Sequence, residues 1–160
     1  MRIKALIMDV DGTLTDGKIY MGEHGEVFKA FNIHDGLAIN ELLPEYGVVP
    51  VIVTGRNSKI VENRASELRI ENVFQGIKDK ARELRAVSDR LNIKFEEMAY
   101  MGDDIADLEA MKLCAIRGCP RDAVKPIIDI CEYVSDIKAG DGALRGFVDW
   151  LIKNSYFEKE

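Results

Sequence analysis

Short apolar runs that stop abruptly at acidic or glycine-containing turns recur along this chain, and longer amphipathic stretches fill the spaces between them. Residues 3–8 stop at Asp9, residues 47–53 at Thr54-Gly55-Arg56, and residues 98–101 at Gly102-Asp103-Asp104. Residues 72–74 and 113–116 are two further short runs. Continuous apolar runs bounded in this way read as strands covered on both faces. Residues 34–46, 57–68, 80–91, 104–111, 121–128 and 144–152 carry helical spacing. In the first of these Leu37, Ala38, Leu42 and Leu43 share a face, and in the second Ile60, Val61, Ala65 and Leu68 do. The alternation predicts an α/β fold with a mostly parallel central sheet flanked by helices. Right-handed crossovers bring the carboxyl ends of such strands to one edge, where ligands bind. Asp9, Thr54 and Asp103 each follow a strand and are predicted to converge there.

One segment breaks the alternation. Lys18-Ile19-Tyr20-Met21 and residues 26–31 flank Gly22-Glu23-His24-Gly25, the pattern of a β-hairpin spanning about residues 18–31. It is too small to be a second domain, so residues 1–160 are expected to form a single one. Its apolar side chains suggest a docking surface.

The charge balance narrows the function. At a net charge of −6, with no cluster of Lys and Arg interleaved with aromatics, the chain lacks the footprint of a nucleic-acid binder. An acidic chain that handles an anionic substrate needs a cation in its site, and a metal is one answer. No apolar run is long enough to span a bilayer, and the first strand meets Asp9 and Asp11 too early for a signal peptide, so a cytoplasmic protein without membrane partners is expected. Cys114, Cys119 and Cys131 lack zinc-site spacing and read as reduced thiols.

Four clusters can carry chemistry. In Asp9-Val10-Asp11-Gly12-Thr13 the first carboxylate can attack phosphorus and the second can serve as general acid and base, while Gly12 permits a sharp turn. The same residue types also make ordinary turns. Asp103 offers carboxylate oxygen to a hard cation such as Mg²⁺. Asp104 and Asp107 suit either indirect support of that ion or a plain helix N-terminus. Thr54 and Gly55 can cradle a phosphate or cap a helix, with Arg56 adding a planar cation. Lys80 opens a helix and can balance the carboxylates and a phosphoryl group.

Taken in order, DxDGT, apolar-Thr-Gly-Arg, Lys and Gly-Asp-Asp-x-x-Asp resemble the haloacid dehalogenase-like phosphotransferases, which implies a Rossmann-like fold. Asp11-Gly12-Thr13-Leu14-Thr15-Asp16-Gly17, Phe31-Asn32-Ile33-His34-Asp35-Gly36, Thr54-Gly55-Arg56-Asn57-Ser58, Glu62-Asn63-Arg64-Ala65, Phe74-Gln75-Gly76, Lys78-Asp79-Lys80 and Tyr100-Met101-Gly102-Asp103-Asp104 are similar to the 3-deoxy-D-manno-octulosonate 8-phosphate phosphatase group over nearly the whole chain. The resemblance implies a Mg²⁺-dependent phosphoric monoester hydrolase with a hairpin in place of a cap domain. It also implies assembly into homotetramers through that hairpin and a place in lipopolysaccharide biosynthesis. By the same resemblance Asp9 is nucleophile and metal ligand, Asp11 is acid/base and a ligand through its backbone carbonyl, and Asp103 is the third protein ligand. Thr54, Gly55 and Lys80 are the phosphate-binding set, and Arg56 and Arg64 are substrate-side cations for a sugar-acid carboxylate. Residues 139–145 resemble a glycine-rich tail that closes a neighbouring site.

Ala38 and Asp141 stand where glycine is frequent in the group, and His34 where arginine is; residues 155–160 run beyond the pattern. These departures bear on which sugar is taken, and a nine-carbon sialic-acid-type phosphate or another small metabolite phosphate is the alternative substrate. A non-catalytic relative would be expected to lack Asp9, Asp11, Lys80 or Asp103, and all four are present. No phosphate loop of the G-x-x-x-x-G-K-[ST] type or G-x-G-x-x-G turn supports a nucleotide switch.

Overall fold

The computed structural model describes residues 1–159; Glu160, the last residue of the expected domain, lies outside them. Six parallel strands form one sheet in the order β5-β4-β1-β6-β7-β8: β1 (Ala5–Met8), β4 (Val49–Val53), β5 (Asn72–Phe74), β6 (Met98–Met101), β7 (Ile116–Cys119) and β8 (Tyr133–Val134). The expected alternation is therefore realised as a parallel α/β sheet. β1 is buried along its whole length, because apolar layers cover both of its faces. Leu6 and Met8 point into one layer with Ile39, Leu43 and Phe147, while Ala5 and Ile7 point into the other with Leu84, Val87 and Met111. This is the period-two alternation of a strand, with both faces dry.

The helices are α1 (Ile33–Leu37), α2 (Leu43–Glu45), α3 (Lys59–Glu67), α4 (Lys80–Leu91), α5 (Ile105–Leu113), α6 (Lys125–Ile128) and α7 (Ala143–Lys153). Residues 34–46 do form one helical stretch, but Ala38–Leu42 is π-helical and separates α1 from α2. The last strands differ more from expectation. The strand expected over residues 113–116 is shifted: Leu113 closes α5 and Cys114 caps it, so only Ile116 of that run is in a strand, as the first residue of β7. β8 is two residues long and follows a helix that starts only at Lys125, where Pro126 sits in the first turn.

β2 (Tyr20–Gly22) and β3 (Gly25–Phe28) make the expected hairpin, its turn closed by Gly25 at φ +118°. Tyr20 stacks on Phe28 with ring centroids 4.5 Å apart. Met21, Val27 and Phe28 are exposed. In the segment likened to a closing tail, residues 139–145, Gly140 lies directly against the backbone of Thr15 and Asp16, and Gly142 leads into α7. The N-terminus of α7 has no cap from its own flank; the Asp35 carboxylate reaches across from α1 and accepts from the Arg145 N–H at 2.9 Å.

Candidate active site

Register sets the site. Met8 pairs with Ile52 on β4 and with Met101 on β6, so the next residue, Asp9, leaves the sheet beside Val53 and Gly102. Thr54 and Asp103 follow one residue later on the flanking strands. Val10 O then collects the N–H groups of Thr13, Leu14 and Thr15, which folds Asp11-Gly12 back over the strand ends. Gly12 adopts φ +84° in this turn.

Asp9 is buried, and its Oδ1 accepts from Lys80 Nζ at 2.9 Å. Lys80 is the first residue of α4, held there by Asp79, whose side chain accepts from the Arg82 N–H. The same Nζ donates to Asp107 Oδ1 at 2.7 Å. Asp107 is wholly buried and fully engaged. Its Oδ1 also accepts from the Tyr100 hydroxyl at 2.9 Å, and its Oδ2 accepts from the N–H groups of Asp103 at 3.1 Å and Asp104 at 3.3 Å. Asp104 meanwhile caps α5, as a helix N-terminus requires, while Asp107 bonds Lys80 and the Asp103 N–H. Burial pushes the Tyr100 hydroxyl well above its ordinary pKa, helped by the charges of Asp107 and Asp9, so it stays a donor.

Carboxylate oxygens of Asp9, Asp103 and Asp107 lie within 4.8 Å of one another. Burial, then the charge of Asp107, raises the Asp9 pKa against the pull of Lys80. Burial, then the hydrogen bond to Asp9 and its charge, raises that of Asp103 as well. Burial of Lys80 works to lower its pKa, but Asp9 and Asp107 together outweigh that and the net shift is upward. The cluster thus holds more negative charge than one lysine neutralises. That is the environment a hard divalent cation relieves, and Mg²⁺ fits the oxygen donor set. Because Asp107 already accepts four hydrogen bonds, Asp9 and Asp103 are the carboxylates with capacity left for an ion.

The other expected residues are distributed unevenly. Thr54 is buried at the end of β4; its N–H pairs with Phe74 O and its C=O accepts from Ile77, which sets Gly55 and exposed Arg56 against residues 76–78. Arg64 is engaged elsewhere: it bonds Glu67 at 3.1 Å and Asn32 O at 3.5 Å and lies over the Phe31 ring. Two contributors were not singled out from the sequence. Lys29, one residue past β3, donates to Asp11 Oδ1 at 2.6 Å and to Glu26 at 3.0 Å. Tyr100 belongs to the apolar run at residues 98–101, and its hydroxyl donates to Asp107. Among the described residues no helix is long and apolar enough to cross a membrane. All three cysteines are free thiols, Cys131 being only half-buried.

A profile of haloacid dehalogenase-like hydrolases matches residues 70–146. The 3-deoxy-D-manno-octulosonate 8-phosphate phosphatase of Salmonella typhi is 39% identical over 150 residues, which span 94% of this chain and 79% of the relative. The cobalt-bound deoxy-D-mannose-octulosonate 8-phosphate phosphatase of Haemophilus influenzae has a similar structure, with a TM-score of 0.91 and 32% identity over 95% of this chain and 88% of that one. The 3-deoxy-D-manno-octulosonate 8-phosphate phosphatase of Moraxella catarrhalis, solved with magnesium, phosphate and KDO, gives 0.90 and 34% over 96% and 89%. Fold and site together define a haloacid dehalogenase-like hydrolase. Within that class, the chain belongs to the 3-deoxy-D-manno-octulosonate 8-phosphate phosphatase family.

Proposed function

We propose that this protein is a Mg²⁺-dependent phosphatase that cleaves 3-deoxy-D-manno-octulosonate 8-phosphate to the free sugar acid and inorganic phosphate. The observation that carries the reading is the buried Asp9–Lys80–Asp107 chain beside Asp103 at the carboxyl edge of the sheet. It supplies a fixed oxygen nucleophile and an unneutralised pair of carboxylates for a cation. The relatives named above share that substrate in their names, which favours the eight-carbon sugar over the nine-carbon alternative.

In this reading Asp9 and Asp103, with the backbone carbonyl of Asp11, hold Mg²⁺, which when bound offsets charge on the phosphoryl oxygens. Thr54, Gly55 and Lys80 bind the phosphate. Arg56 and Arg64 are assigned to the sugar-acid side; Arg56 is already exposed, whereas Arg64 would have to leave Glu67. A carboxylate oxygen of Asp9 attacks phosphorus in line, the bond to the sugar oxygen breaks, and Asp11 gives that oxygen a proton. Asp11 then takes a proton from water, the water oxygen attacks the aspartyl-phosphate at phosphorus, and Asp9 leaves as a carboxylate. The exposed hairpin residues Ile19, Met21, Val27 and Phe28 support a homotetramer built on that face. A cytoplasmic location and a role in lipopolysaccharide biosynthesis complete the reading.

The test is phosphate release from a panel of sugar phosphates, with Mg²⁺ and with chelator, using Asp9→Asn as the blank. Release from the eight-carbon keto-sugar-acid phosphate that vanishes with chelator is expected. Equal release from every ester would overturn the substrate assignment, and release by Asp9→Asn would overturn the nucleophile. A monomer in sedimentation would overturn the assembly.

A further inference from the structure

The hairpin is joined to the catalytic loop by a buried cation. Lys29 lies at the base of β3, yet its side chain is only 1% exposed. Its Nζ is held between Asp11 Oδ1 at 2.6 Å and Glu26 Oε2 at 3.0 Å. Glu26 is part of β3, and its own side chain is 12% exposed. A lysine that gives up its rotamer freedom and its hydration inside a surface hairpin is unusual, since ammonium groups ordinarily reach for water. Here the two carboxylates replace the water, and one of them is the residue assigned above to proton transfer.

We propose that Lys29 is a positioning residue that fixes the orientation of the Asp11 carboxyl group for reaction, with Glu26 anchoring the lysine from the hairpin side. The proposal rests on the phosphatase reading. Asp11 sits in a loop, and its side chain is 19% exposed, so its own rotamer is weakly constrained by packing. An acid/base group must stand within about 2.6–3.2 Å of the oxygen it serves, so a freely rotating carboxyl would be misplaced much of the time. Lys29 holds one oxygen, Oδ1, so the carboxyl group can serve a substrate through the other. Lys29 bonds Asp11 and Glu26, whereas Lys80 bonds Asp9 and Asp107, and this separates the two roles. The arrangement also ties acid/base geometry to the hairpin: whatever steadies β3 steadies Asp11.

The test compares Lys29→Met and Lys29→Arg with the wild-type protein on two esters, the sugar-acid phosphate and p-nitrophenyl phosphate. An alkoxide leaving group needs the proton, whereas p-nitrophenolate leaves without it. Lys29→Met is expected to lower kcat/KM on the sugar ester by about 10²-fold, a parameter that ends at formation of the aspartyl-phosphate and so leaves out the water step that both esters share. The loss of kcat/KM on p-nitrophenyl phosphate should be at least about tenfold smaller, and Lys29→Arg should recover part of kcat/KM on the sugar ester. Equal losses of kcat/KM on both esters, or no loss, would overturn the proposal. If Lys29→Met fails to fold by circular dichroism, Glu26→Gln takes its place. It should give a smaller loss, still biased to the sugar ester, and an unbiased or absent loss would overturn the proposal. Turnover by the wild-type protein with unaltered variants sinks this inference alone. Absence of wild-type turnover on both esters sinks the phosphatase reading and this one with it.

Discussion

Gly12 and Asp103 touch across the site so closely that a Cβ on Gly12 would lie 2.0 Å from Asp103 Oδ2. The turn that carries Asp11 and the loop that carries Asp103 are therefore packed backbone against carboxylate. Gly12→Ala must displace Asp103 and also strain a backbone at φ +84°. The expected result is a loss of about 1–3 kcal/mol in stability and weaker Mg²⁺ binding. Calorimetric unfolding and Mg²⁺ titration read the two effects, and unchanged Mg²⁺ affinity would refute the coupling.

Lys80 is the one cation between two buried carboxylates. Lys80→Met leaves both unpaired and should cost about 3–5 kcal/mol, as well as reducing turnover. Added Mg²⁺ should restore more stability to this variant than it adds to the wild-type protein. Denaturant titrations with and without Mg²⁺ decide this, and an identical Mg²⁺ increment in both proteins would count against it.

Removing Asp9 should have opposite effects on activity and on metal-free stability. The Asp9 pKa is raised in the fold by burial and by Asp107, so its contribution to stability is lost as pH rises above the ordinary carboxylate value. In chelator, Asp9→Asn is expected to be more stable than wild type at pH 8, with the gap closing toward pH 4, while phosphate release disappears. Melting temperatures at the two pH values check this, and a variant less stable than wild type at pH 8 would refute it.

Asp35 gives a pH effect away from the carboxylate cluster. Its Oδ2 is buried without a hydrogen-bond partner among the described residues. Burial raises its pKa from 3.8 to about 6 against the pull of the Arg145 N–H and the charges of His34, Arg64 and Arg145. The folded state therefore binds the proton more tightly than the unfolded chain, and stability falls as pH rises from about 4 to about 6. The full effect is up to about 3 kcal/mol. Asp35→Asn keeps an oxygen for the Arg145 N–H and should flatten that slope. Denaturant unfolding at pH 4.5 and 7 measures it, and an unaltered slope would assign the pH dependence to other groups.

The parts of this molecule legible in the sequence are those where local pattern and tertiary position coincide. Asp9, Thr54 and Asp103 could be placed because each ends an apolar run, and a parallel sheet sends all such ends to one edge. The strand start at Leu113 misled because Leu113 and Cys114 are the last residue of α5 and its cap, and only Ile116 of that run belongs to β7. The role of Lys29 was hidden because a lysine in a short hairpin ordinarily points to water. The Asp35 cap on α7 was hidden because its partner, Arg145, is remote in sequence. Asp107 lay between: its place in an acidic helix turn was readable, but its four donors become visible only when Tyr100 and Lys80 arrive from other elements.

The position of β1 at the middle of the sheet has a consequence for how the enzyme comes into being. Ala5 pairs with Val49 on one side and Met98 on the other, and Lys80 and Asp107 come from still other parts of the chain. Asp9 precedes most of its surroundings in the chain, and they are completed only when residues beyond 100 have been synthesised and docked. Such distant pairings form late and together. The buried carboxylate–lysine cluster therefore assembles in one step with the finished fold, and a partly synthesised chain carries Asp9 as an ordinary, solvated carboxylate.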